Sequence, residues 1–333
     1  MKRIAINGLG RIGRLILRHY MDLSDGQVEI VAANDLVPTD DLAYLIRYDS
    51  AHGRAPFVVE AAPESLKLNG REIMISAIKD PAQLPWKDLG VDVVYECTGL
   101  FTARDAAAAH LAAGARRVVI GAPSKDADMT VIVGVNERVF DPARHQIISN
   151  ASCTTNSLVP PMKVLLDHFG VEMAMVTTVH AYTATQGTVD RPAKKKIRGR
   201  AAAVNLIPTS TGSDIATVQV LPELEGRLRA LAIRAPVIDG AITDITALLK
   251  KPATAESLNS TFREAAAGPL AGILGYSEDD LVSSDIIGDL HSSILHAQST
   301  RVVGERMVKL QCWYDNEAAY ARRMLDLALR LPL

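Results

Sequence analysis

The 333-residue sequence has few cysteines, few aromatic residues and almost no net charge. Its three cysteines, Cys97, Cys153 and Cys312, have no paired spacing and no Cys/His cluster, so we expect a reducing compartment and no structural metal site. The formal charge of −2 disfavours a nucleic-acid or membrane-surface protein. No run of residues approaches the roughly 20 apolar residues of a membrane span.

The first 150 residues alternate strand-like and helix-like runs. Strands are predicted over 3–7, 28–33, 72–77, 92–96, 117–120 and 131–134, and helices over 11–22, 39–47 and 103–113. This alternation is typical of a doubly wound parallel sheet. The length allows one large or two ordinary domains, and 48% hydrophobic residues can build a substantial core. The first strand runs straight into a glycine turn with no apolar signal region, so we expect a cytoplasmic protein.

The pattern changes after residue 150. Longer strands are predicted over 171–179, 228–234, 242–249 and 307–313, with helices near 254–267 and 318–331. These runs favour an antiparallel sheet that carries helices. We therefore predict an α/β protein in which residues 1–150 form the doubly wound domain and residues 151–316 form an α+β domain.

A glycine-rich turn follows the first strand. Gly8, Gly10 and Gly13 stand in Gly-Leu-Gly-Arg-Ile-Gly, between an apolar strand and a helix-like run. The first glycine permits a tight turn, the second lets the backbone approach a pyrophosphate, and the third lets the helix pack on the strand. Asp35 ends the second strand, where an acid can accept hydrogen bonds from the adenosine ribose hydroxyls. Such a triplet alone can be a structural turn, but this context predicts a Rossmann dinucleotide-binding domain.

Cys153 lies in a run of small polar residues, Ser-Asn-Ala-Ser-Cys-Thr-Thr-Asn at 149–156, before an apolar helix-like stretch. This pattern predicts a thiol at a helix N-terminus, where free N–H groups and the helix dipole favour the thiolate. A thiolate is a nucleophile suited to covalent catalysis. The alternative is a buried inert cysteine, the commoner state of a cytosolic thiol.

Together these motifs resemble the phosphorylating glyceraldehyde-3-phosphate dehydrogenase family. The matching segments are 6–14, 48–54, 96–99, 149–156, 180–183, 208–212 and 313–317. The Cys-Thr-Thr-Asn core at 153–156 is highly specific, and the other segments follow in the family's order. The resemblance implies that a C-terminal helix, residues 317–333, completes the first domain.

The resemblance also implies an activity and a set of site residues. The expected reaction oxidises glyceraldehyde 3-phosphate to 1,3-bisphosphoglycerate, reduces NAD and passes through a thioester at Cys153, as in glycolysis and gluconeogenesis. His180 would otherwise be an ordinary strand-end histidine, but here we expect it to accept the thiol proton and act on the hemithioacetal oxygen. Residues expected to bind the substrate phosphate or the attacking inorganic phosphate are Ser152, Thr154, Thr183, Arg200, Thr211, Gly212 and Arg234. Residues expected to bind the cofactor are Gly8, Gly10, Arg11, Ile12, Gly13, Asn34, Asp35, Lys79, Thr98, Gly99, Gly121, Asn316 and Tyr320.

Further positions bear on specificity and assembly. Asp35 and, by resemblance, Pro192 favour NAD over NADP, because a 2′-phosphate would face the Asp35 carboxylate. Ser157 replaces a second family cysteine, and Gly121 stands where many relatives have Ser or Thr. The basic run 194–200 could be a nucleic-acid patch, but in a slightly acidic chain a solvated loop is the better interpretation. By resemblance this loop lines the cofactor site of a neighbouring subunit, which implies a homotetramer.

Two alternative functions stay open. Erythrose-4-phosphate dehydrogenases usually depart from His-Ala-Tyr-Thr and from Pro-Thr-Ser-Thr-Gly, and this chain keeps both runs. A catalytically idle paralogue that binds nucleotide is the second alternative, and the retained Cys153 and His180 argue against it. Neither a metal ion nor a catalytic lysine is needed for the expected chemistry.

Overall fold

The structure, a computed structural model, describes residues 1–23 and 26–332. The chain divides into two compact units, Met1–Ser152 with Ala321–Leu333, and Cys153–Tyr320. Leu333, the last residue of the predicted C-terminal helix, lies outside the described residues. Within the described ranges, no helix is both long and apolar enough to cross a membrane.

The first unit is built from strands and helices that alternate along most of its length. Its strands are β1 (Lys2–Asn7), β2 (Val28–Asn34), β3 (Tyr48–Asp49), β4 (Gly53–Arg54), β5 (Val59–Ala62), β6 (Ser65–Leu68), β7 (Arg71–Ser76), β8 (Val93–Glu96), β9 (Arg117–Ile120), β10 (Met129–Thr130) and β11 (Ile147–Ser149). Its helices are α1 (Arg11–Met21), α2 (Thr39–Arg47), α3 (Arg104–Ala107) and α4 (Ala109–Ala112).

The first unit's main sheet has the order β10-β11-β9-β8-β1-β2-β7-β6-β5 among the described residues. The strands from β10 to β7 pair in parallel, and β6 and β5 add an antiparallel edge. The chain leaves β1 toward β2 and β7, then returns to place β8 on the other side of β1. This reversal makes the carboxyl ends of β1 and β8 the switch point where doubly wound sheets bind ligands.

Burial explains why these central strands form. Ile4, Ile6, Val93 and Val94 are fully buried, as expected for parallel strands covered on both faces. The helix α1 packs closely on β1, because a side chain at Gly13 would lie 2.1 Å from the Gly8 carbonyl oxygen. The predicted doubly wound sheet is therefore confirmed.

Two local predictions in this unit were wrong. No strand forms at the expected 131–134, and the short β10 ends just before it, at Thr130. The Asn136 side chain accepts the Ile132 N–H and donates to the Thr130 carbonyl, both at 2.8 Å, and so turns the chain. The single helix expected at 103–113 is split into α3 and α4, and the Leu111 N–H bonds three residues back, to the Ala108 carbonyl, at this junction. The short strands β5, β6 and β11 were not predicted.

The second unit combines a mixed sheet with helices. Its strands are β12 (Val171–Ala181), β13 (Ile207–Ser210), β14 (Leu228–Ala235), β15 (Ala241–Leu249), β16 (Leu274–Ser277), β17 (Ser293–His296), β18 (Arg301–Val303) and β19 (Met307–Tyr314). Its helices are α5 (Cys153–His168), α6 (Ser213–Val220), α7 (Ala255–Ala267) and the start of α8 (Ala318–Arg330).

This second sheet has the order β13-β14-β12-β15-β19-β17-β16, with β18 beside β19, among the described residues. Most pairs are antiparallel, as predicted, but β12 with β14 and β16 with β17 are parallel. The parallel pair matters for the site, because its register sets His180 beside Arg234.

The helix α8 continues into the first unit. There Met324, Leu325 and Leu327 are fully buried, and the Lys2 ammonium donates to the carbonyls of Ala328 and Leu331. The lysine thus binds the carbonyl end of the helix, where a positive charge is favourable.

Candidate active site

A strained turn precedes Cys153. Ala151 is fully buried and has a φ of 54°, in the left-handed region that alanine rarely adopts. The Ser149 hydroxyl accepts the Ala151 N–H at 3.0 Å and donates to the Ala122 carbonyl at 2.7 Å. Such strain persists only where the surroundings enforce it. The turn makes Cys153 the first residue of α5, so the predicted helix N-terminus is confirmed.

Cys153 and His180 form a contact between a thiol and an imidazole. The strand β12 points alternate residues inward, and His180, near its end, is 4% exposed. His180 Nε2 lies 3.3 Å from Cys153 Sγ. His180 Nδ1 lies 2.7 Å from the Ala181 carbonyl oxygen, to which it donates in the tautomer that carries the hydrogen on Nδ1. In that tautomer Nε2 is free to accept the thiol proton.

Arg234 adds a positive charge beside this pair. Its Nη1 donates to the same Ala181 carbonyl at 2.9 Å. Nη1 also lies 2.6 Å from His180 Nδ1, and this contact favours the other tautomer, in which Nδ1 accepts. Burial and then the Arg234 guanidinium lower the pKa of His180 to about 3. Burial raises the pKa of the Cys153 thiol to about 11, against the opposing influences of Arg234 and Thr154.

These shifts differ from the thiolate that we expected from the sequence. Desolvation penalises each charged form, and for Cys153 it outweighs the helix N-terminus. The thiol and the imidazole are each neutral when considered alone. Moving the proton from Sγ to Nε2 creates opposite charges 3.3 Å apart, which stabilise each other. The site is therefore suited to forming its thiolate together with an imidazolium.

Tyr314 supports this pair, and sequence reasoning assigned it no role. Its hydroxyl lies 3.0 Å from Thr154 Oγ1 and 2.8 Å from Thr178 Oγ1, and all three side chains are buried. Its ring meets the His180 ring edge-on, with centroids 5.9 Å apart. Tyr314 lies in the run 313–317 that matches the family, but the sequence did not indicate that it is near the thiol. The pairing of the strands brings it there.

The predicted anion-binding residues of the second unit fall into different environments. Arg234 and Thr154 contact the Cys153–His180 pair. The Thr183 hydroxyl lies 2.9 Å from Thr185 Oγ1. Thr211 and Gly212 lie at the start of α6, where Thr211 Oγ1 accepts the Ser213 N–H at 3.2 Å. The Ser152 side chain is half-buried, directly before the thiol in the chain.

Two arginines of the basic run differ in their placement. Arg200 forms an exposed ion pair with Asp190 at 3.0 Å. Arg198, which we did not select from the sequence, donates to Thr209 Oγ1 at 3.1 Å, and its charge helps to lower the pKa of both His180 and Arg234. Of the two arginines, Arg198 is therefore the one whose charge acts on His180 and Arg234. The sequence of the basic run does not distinguish the role of Arg198 from that of Arg200.

The glycine turn in the first unit forms a concave backbone site. Gly8 has a φ of +96°, and a side chain there would lie 2.9 Å from Thr98. Gly10, at the N-cap of α1, has open space around its Cα and offers no side chain to the first-turn N–H groups. An anion fits such a helix start. Asp35 accepts the N–H groups of Leu9 at 2.7 Å and Val37 at 3.0 Å, which fix its carboxylate.

A cleft of about 300 Å³ adjoins this turn. The predicted cofactor residues that line it are Gly8, Gly10, Asn34, Asp35, Lys79 and Thr98. Its concave backbone, its acidic residue and the open space at Gly10 fit a dinucleotide. Gly99, with a φ of +71°, directly follows Thr98, and Ile12 and Gly13 lie in the first turn of α1.

Other predicted cofactor residues do not line this cleft. The Arg11 guanidinium forms a two-point ion pair with Asp49, at 2.5 and 3.1 Å. Gly121 leaves little room for a larger residue, because a Cβ there would lie 3.1 Å from the Glu96 carbonyl oxygen. Asn316 and Tyr320 belong to the second unit and are both buried.

The doubly wound sheet and the glycine turn are typical of a dinucleotide-dependent enzyme, and the second unit holds a thiol beside an imidazole. Comparison with known families gives two matches. Residues 2–104 match the NAD binding domain of glyceraldehyde 3-phosphate dehydrogenase, and residues 152–316 match the C-terminal domain of the same enzyme.

Full-length relatives agree with these matches. Glyceraldehyde-3-phosphate dehydrogenases from Priestia megaterium and Thermotoga maritima are each 50% identical to this chain over 98% of it, covering 97% and 98% of their own lengths. The Geobacillus stearothermophilus enzyme is 48% identical over 98% of this chain and 97% of its own. The chain belongs to the glyceraldehyde-3-phosphate dehydrogenase family.

Proposed function

We propose that this protein is an NAD-dependent, phosphorylating glyceraldehyde-3-phosphate dehydrogenase, which forms 1,3-bisphosphoglycerate as in glycolysis and gluconeogenesis. The observation that carries the proposal is the 3.3 Å contact between Cys153 Sγ and His180 Nε2 at the start of α5, in a chain of this family. A thiol with an adjacent base is the arrangement required for covalent catalysis on an aldehyde.

The residues of the pair divide the chemistry between them. Cys153 Sγ loses its proton to His180 Nε2 and bonds to the aldehyde carbon, and His180 returns that proton to the aldehyde oxygen, giving a hemithioacetal. Bound NAD would supply the acceptor for the hydride that leaves this carbon. His180 Nε2 then accepts the proton of the hemithioacetal hydroxyl, so that the carbon becomes the carbonyl of a thioester. An oxygen of inorganic phosphate then attacks the thioester, and the Cys153 thiolate leaves.

The anion-binding roles remain part of the proposal. Arg234 supplies a planar charged fork for a phosphate beside the pair, supported by its position next to His180 in the strand register. Arg198 adds a second charge, supported by its influence on both residues. We assign the remaining phosphate contacts to Ser152, Thr154, Thr183, Arg200, Thr211 and Gly212.

The cofactor roles are proposed for the residues predicted from the sequence. Backbone N–H groups at Gly10, Arg11 and Ile12 are suited to the pyrophosphate, since no acidic side chain lies in the first turn of α1. Asp35 is suited to the ribose hydroxyls and would repel a 2′-phosphate, which favours NAD over NADP. The remaining cofactor contacts go to Gly8, Gly13, Asn34, Lys79, Thr98, Gly99, Gly121, Asn316 and Tyr320.

We further propose a cytoplasmic homotetramer in which the first unit binds NAD and the second carries the catalytic residues. Exposed apolar side chains on neighbouring strands of the second unit support an assembled state. Met173, Met175 and Leu231 on β12 and β14 are each more than half exposed. Apolar residues that share one face of a sheet favour burial against another chain.

A single steady-state assay tests the proposed function. Purified protein with NAD and glyceraldehyde 3-phosphate should produce NADH steadily only when inorganic phosphate is added. Erythrose 4-phosphate should be the poorer substrate, and Cys153→Ser should give no steady NADH production. Preference for erythrose 4-phosphate would favour the related dehydrogenase, and absence of turnover with intact NAD binding would favour an idle paralogue.

A further inference from the structure

Four polar side chains, three buried and one half-buried, cross the first unit at the carboxyl ends of four neighbouring parallel strands. Glu96 ends β8, Asn7 ends β1, Asn34 ends β2 and Ser76 ends β7. Asn7 Nδ2 donates to Glu96 Oε2 at 2.6 Å, Asn34 Nδ2 donates to Asn7 Oδ1 at 2.8 Å, and Ser76 Oγ donates to Asn34 Oδ1 at 3.0 Å. We call this row of four residues the carboxyl-end relay.

Glu96, at one end of the relay, accepts four hydrogen bonds, one of them from within the relay. Its Oε1 accepts from the Thr98 N–H at 2.8 Å and from the Thr98 hydroxyl. Its Oε2 accepts from Asn7 Nδ2 and from His110 Nε2, the latter at 3.1 Å. Each oxygen therefore accepts from two donors. Glu96 is 1% exposed, so these hydrogen bonds take the place of water around the carboxyl group.

The tautomer of His110 is set by its other neighbour. The indole N–H of Trp86 donates to His110 Nδ1 at 3.1 Å, and an indole nitrogen cannot accept. Nδ1 therefore carries no hydrogen, and Nε2 must donate to Glu96. Trp86 and His110 are both fully buried, so this tautomer is fixed by the core. Trp86 and His110 thus fix the orientation of the Glu96 carboxylate.

The relay ends in the walls of the cleft beside the glycine turn. Asn7, Asn34 and Thr98 are all lining residues of that cleft. Asn34 also fixes the backbone that leads to Lys79, because it accepts the Ile78 N–H and donates to the Ile78 carbonyl, both at 2.9 Å. The groups that the relay orients are therefore those that face the proposed cofactor.

We propose that Glu96 is a positioning residue for the dinucleotide, acting through Asn7 and Thr98, and that His110 supports it. This inference rests on the proposed function, since it assumes that the cleft binds NAD. The physical reason is preorganisation. Side chains already held by buried hydrogen bonds lose little further freedom when a ligand binds.

An amide cannot replace the carboxylate at this position. Glutamine has one accepting oxygen and one donating nitrogen, whereas both Glu96 oxygens face donors. If the amide nitrogen replaces Oε1, it faces the Thr98 N–H. If it replaces Oε2, it faces Asn7 Nδ2 and His110 Nε2. Either orientation displaces a residue that lines the cleft.

The test is the affinity of Glu96→Gln for NAD, measured by calorimetry on the full-length protein. We expect the dissociation constant for NAD to rise by about tenfold or more, the effect of losing one buried hydrogen bond to a charged group. The alkylation rate of Cys153 should stay at the wild-type value. Glu29→Gln is the matched control, because Glu29 lies on β2 in a partly exposed pair with Arg3, and it should bind NAD normally.

A second pair of variants separates positioning from a general effect on the core. His110→Gln keeps a donor near the Nε2 position and should retain most of the NAD affinity. His110→Asn keeps a polar group near Nδ1, toward Trp86, but loses the donor to Glu96, so its dissociation constant should rise as in Glu96→Gln. These two variants also test the inference if Glu96→Gln does not fold.

The outcomes are distinguishable. Unchanged NAD affinity in folded Glu96→Gln, or equal affinities in the two His110 variants, would overturn the positioning role. Lower melting temperatures without a change in NAD affinity would show a merely structural relay and would also overturn it. A wild-type protein that does not bind NAD would instead contradict the proposed function itself.

Discussion

Replacing His180 by asparagine tests how the Cys153 thiolate forms. The Asn side chain places its amide near the Nδ1 position, where it can still donate to the Ala181 carbonyl, but it has no base near Sγ. The thiol must then ionise alone, against a pKa that burial raises to about 11. At pH 7 this thiol would therefore be almost entirely protonated.

We therefore expect the chemical step to slow by roughly 10²–10⁴-fold, in the range for loss of a general acid–base. The assay is the rate of Cys153 alkylation by iodoacetamide between pH 6 and pH 10, alongside turnover. In His180→Asn the alkylation rate should rise about tenfold for each pH unit, because it follows the free thiolate. His180→Gln is the control, because it keeps a polar atom near Nε2 without a basic nitrogen, and it should behave like His180→Asn. A variant that matches the wild type in alkylation and turnover at neutral pH would refute this reasoning.

Three further predictions follow from individual contacts. Arg234→Ala should raise KM for glyceraldehyde 3-phosphate by about 10- to 100-fold but barely change it for unphosphorylated glyceraldehyde, since losing a charged hydrogen bond costs about 1.5–3 kcal/mol; equal losses on both aldehydes would make Arg234 structural. Asp35→Gly should narrow the preference of kcat/KM for NAD over NADP mainly by weakening NAD, and a wild type that prefers NADP would contradict the assignment. Asp49→Asn should lower the free energy of unfolding in urea by about 2 kcal/mol at neutral pH. Burial alone would raise the pKa of Asp49, but the ion pair with Arg11 and two backbone N–H groups outweigh it and lower the pKa from 3.8 to about 2. That stabilisation is present above the unfolded-state pKa and is lost as the pH falls through about 2. If the difference in unfolding free energy between wild type and Asp49→Asn did not shrink below pH 3.8, this prediction would be refuted. Asp167→Asn, which removes one partner of an exposed ion pair, should have little effect.

Local patterns in the sequence predicted the central strands of both sheets but not β13, β16, β17 and β18 of the second unit. The glycine turn, the α1 helix and the N-terminal position of Cys153 depend on neighbouring residues, and all three are found as predicted. The strand at 131–134 failed because the Asn136 side chain, not the apolar run, decides the local hydrogen bonds. The strands β5 and β6 have only four residues each, too few for an alternating pattern to be recognised.

The electrostatics of the site could not be predicted from local patterns. Tyr314 meets Thr178 across 136 residues of sequence, through the pairing of β12, β15 and β19. The pKa of Cys153 depends on burial and on Arg234 from another strand, so the helix N-terminus alone does not determine the direction of its shift. In the basic run, only the fold separates Arg198 from the exposed Arg200.

Trapping the covalent intermediate tests the central claim most directly. The protein is mixed with NAD and glyceraldehyde 3-phosphate without inorganic phosphate, quenched in acid, and analysed by intact mass and peptide mapping. We predict one acyl adduct per chain, on Cys153, which disappears when phosphate is added before the quench and is absent in Cys153→Ser. An adduct on Cys97 or Cys312, or NADH formation with no adduct on Cys153, would contradict a reaction that passes through the Cys153 thioester.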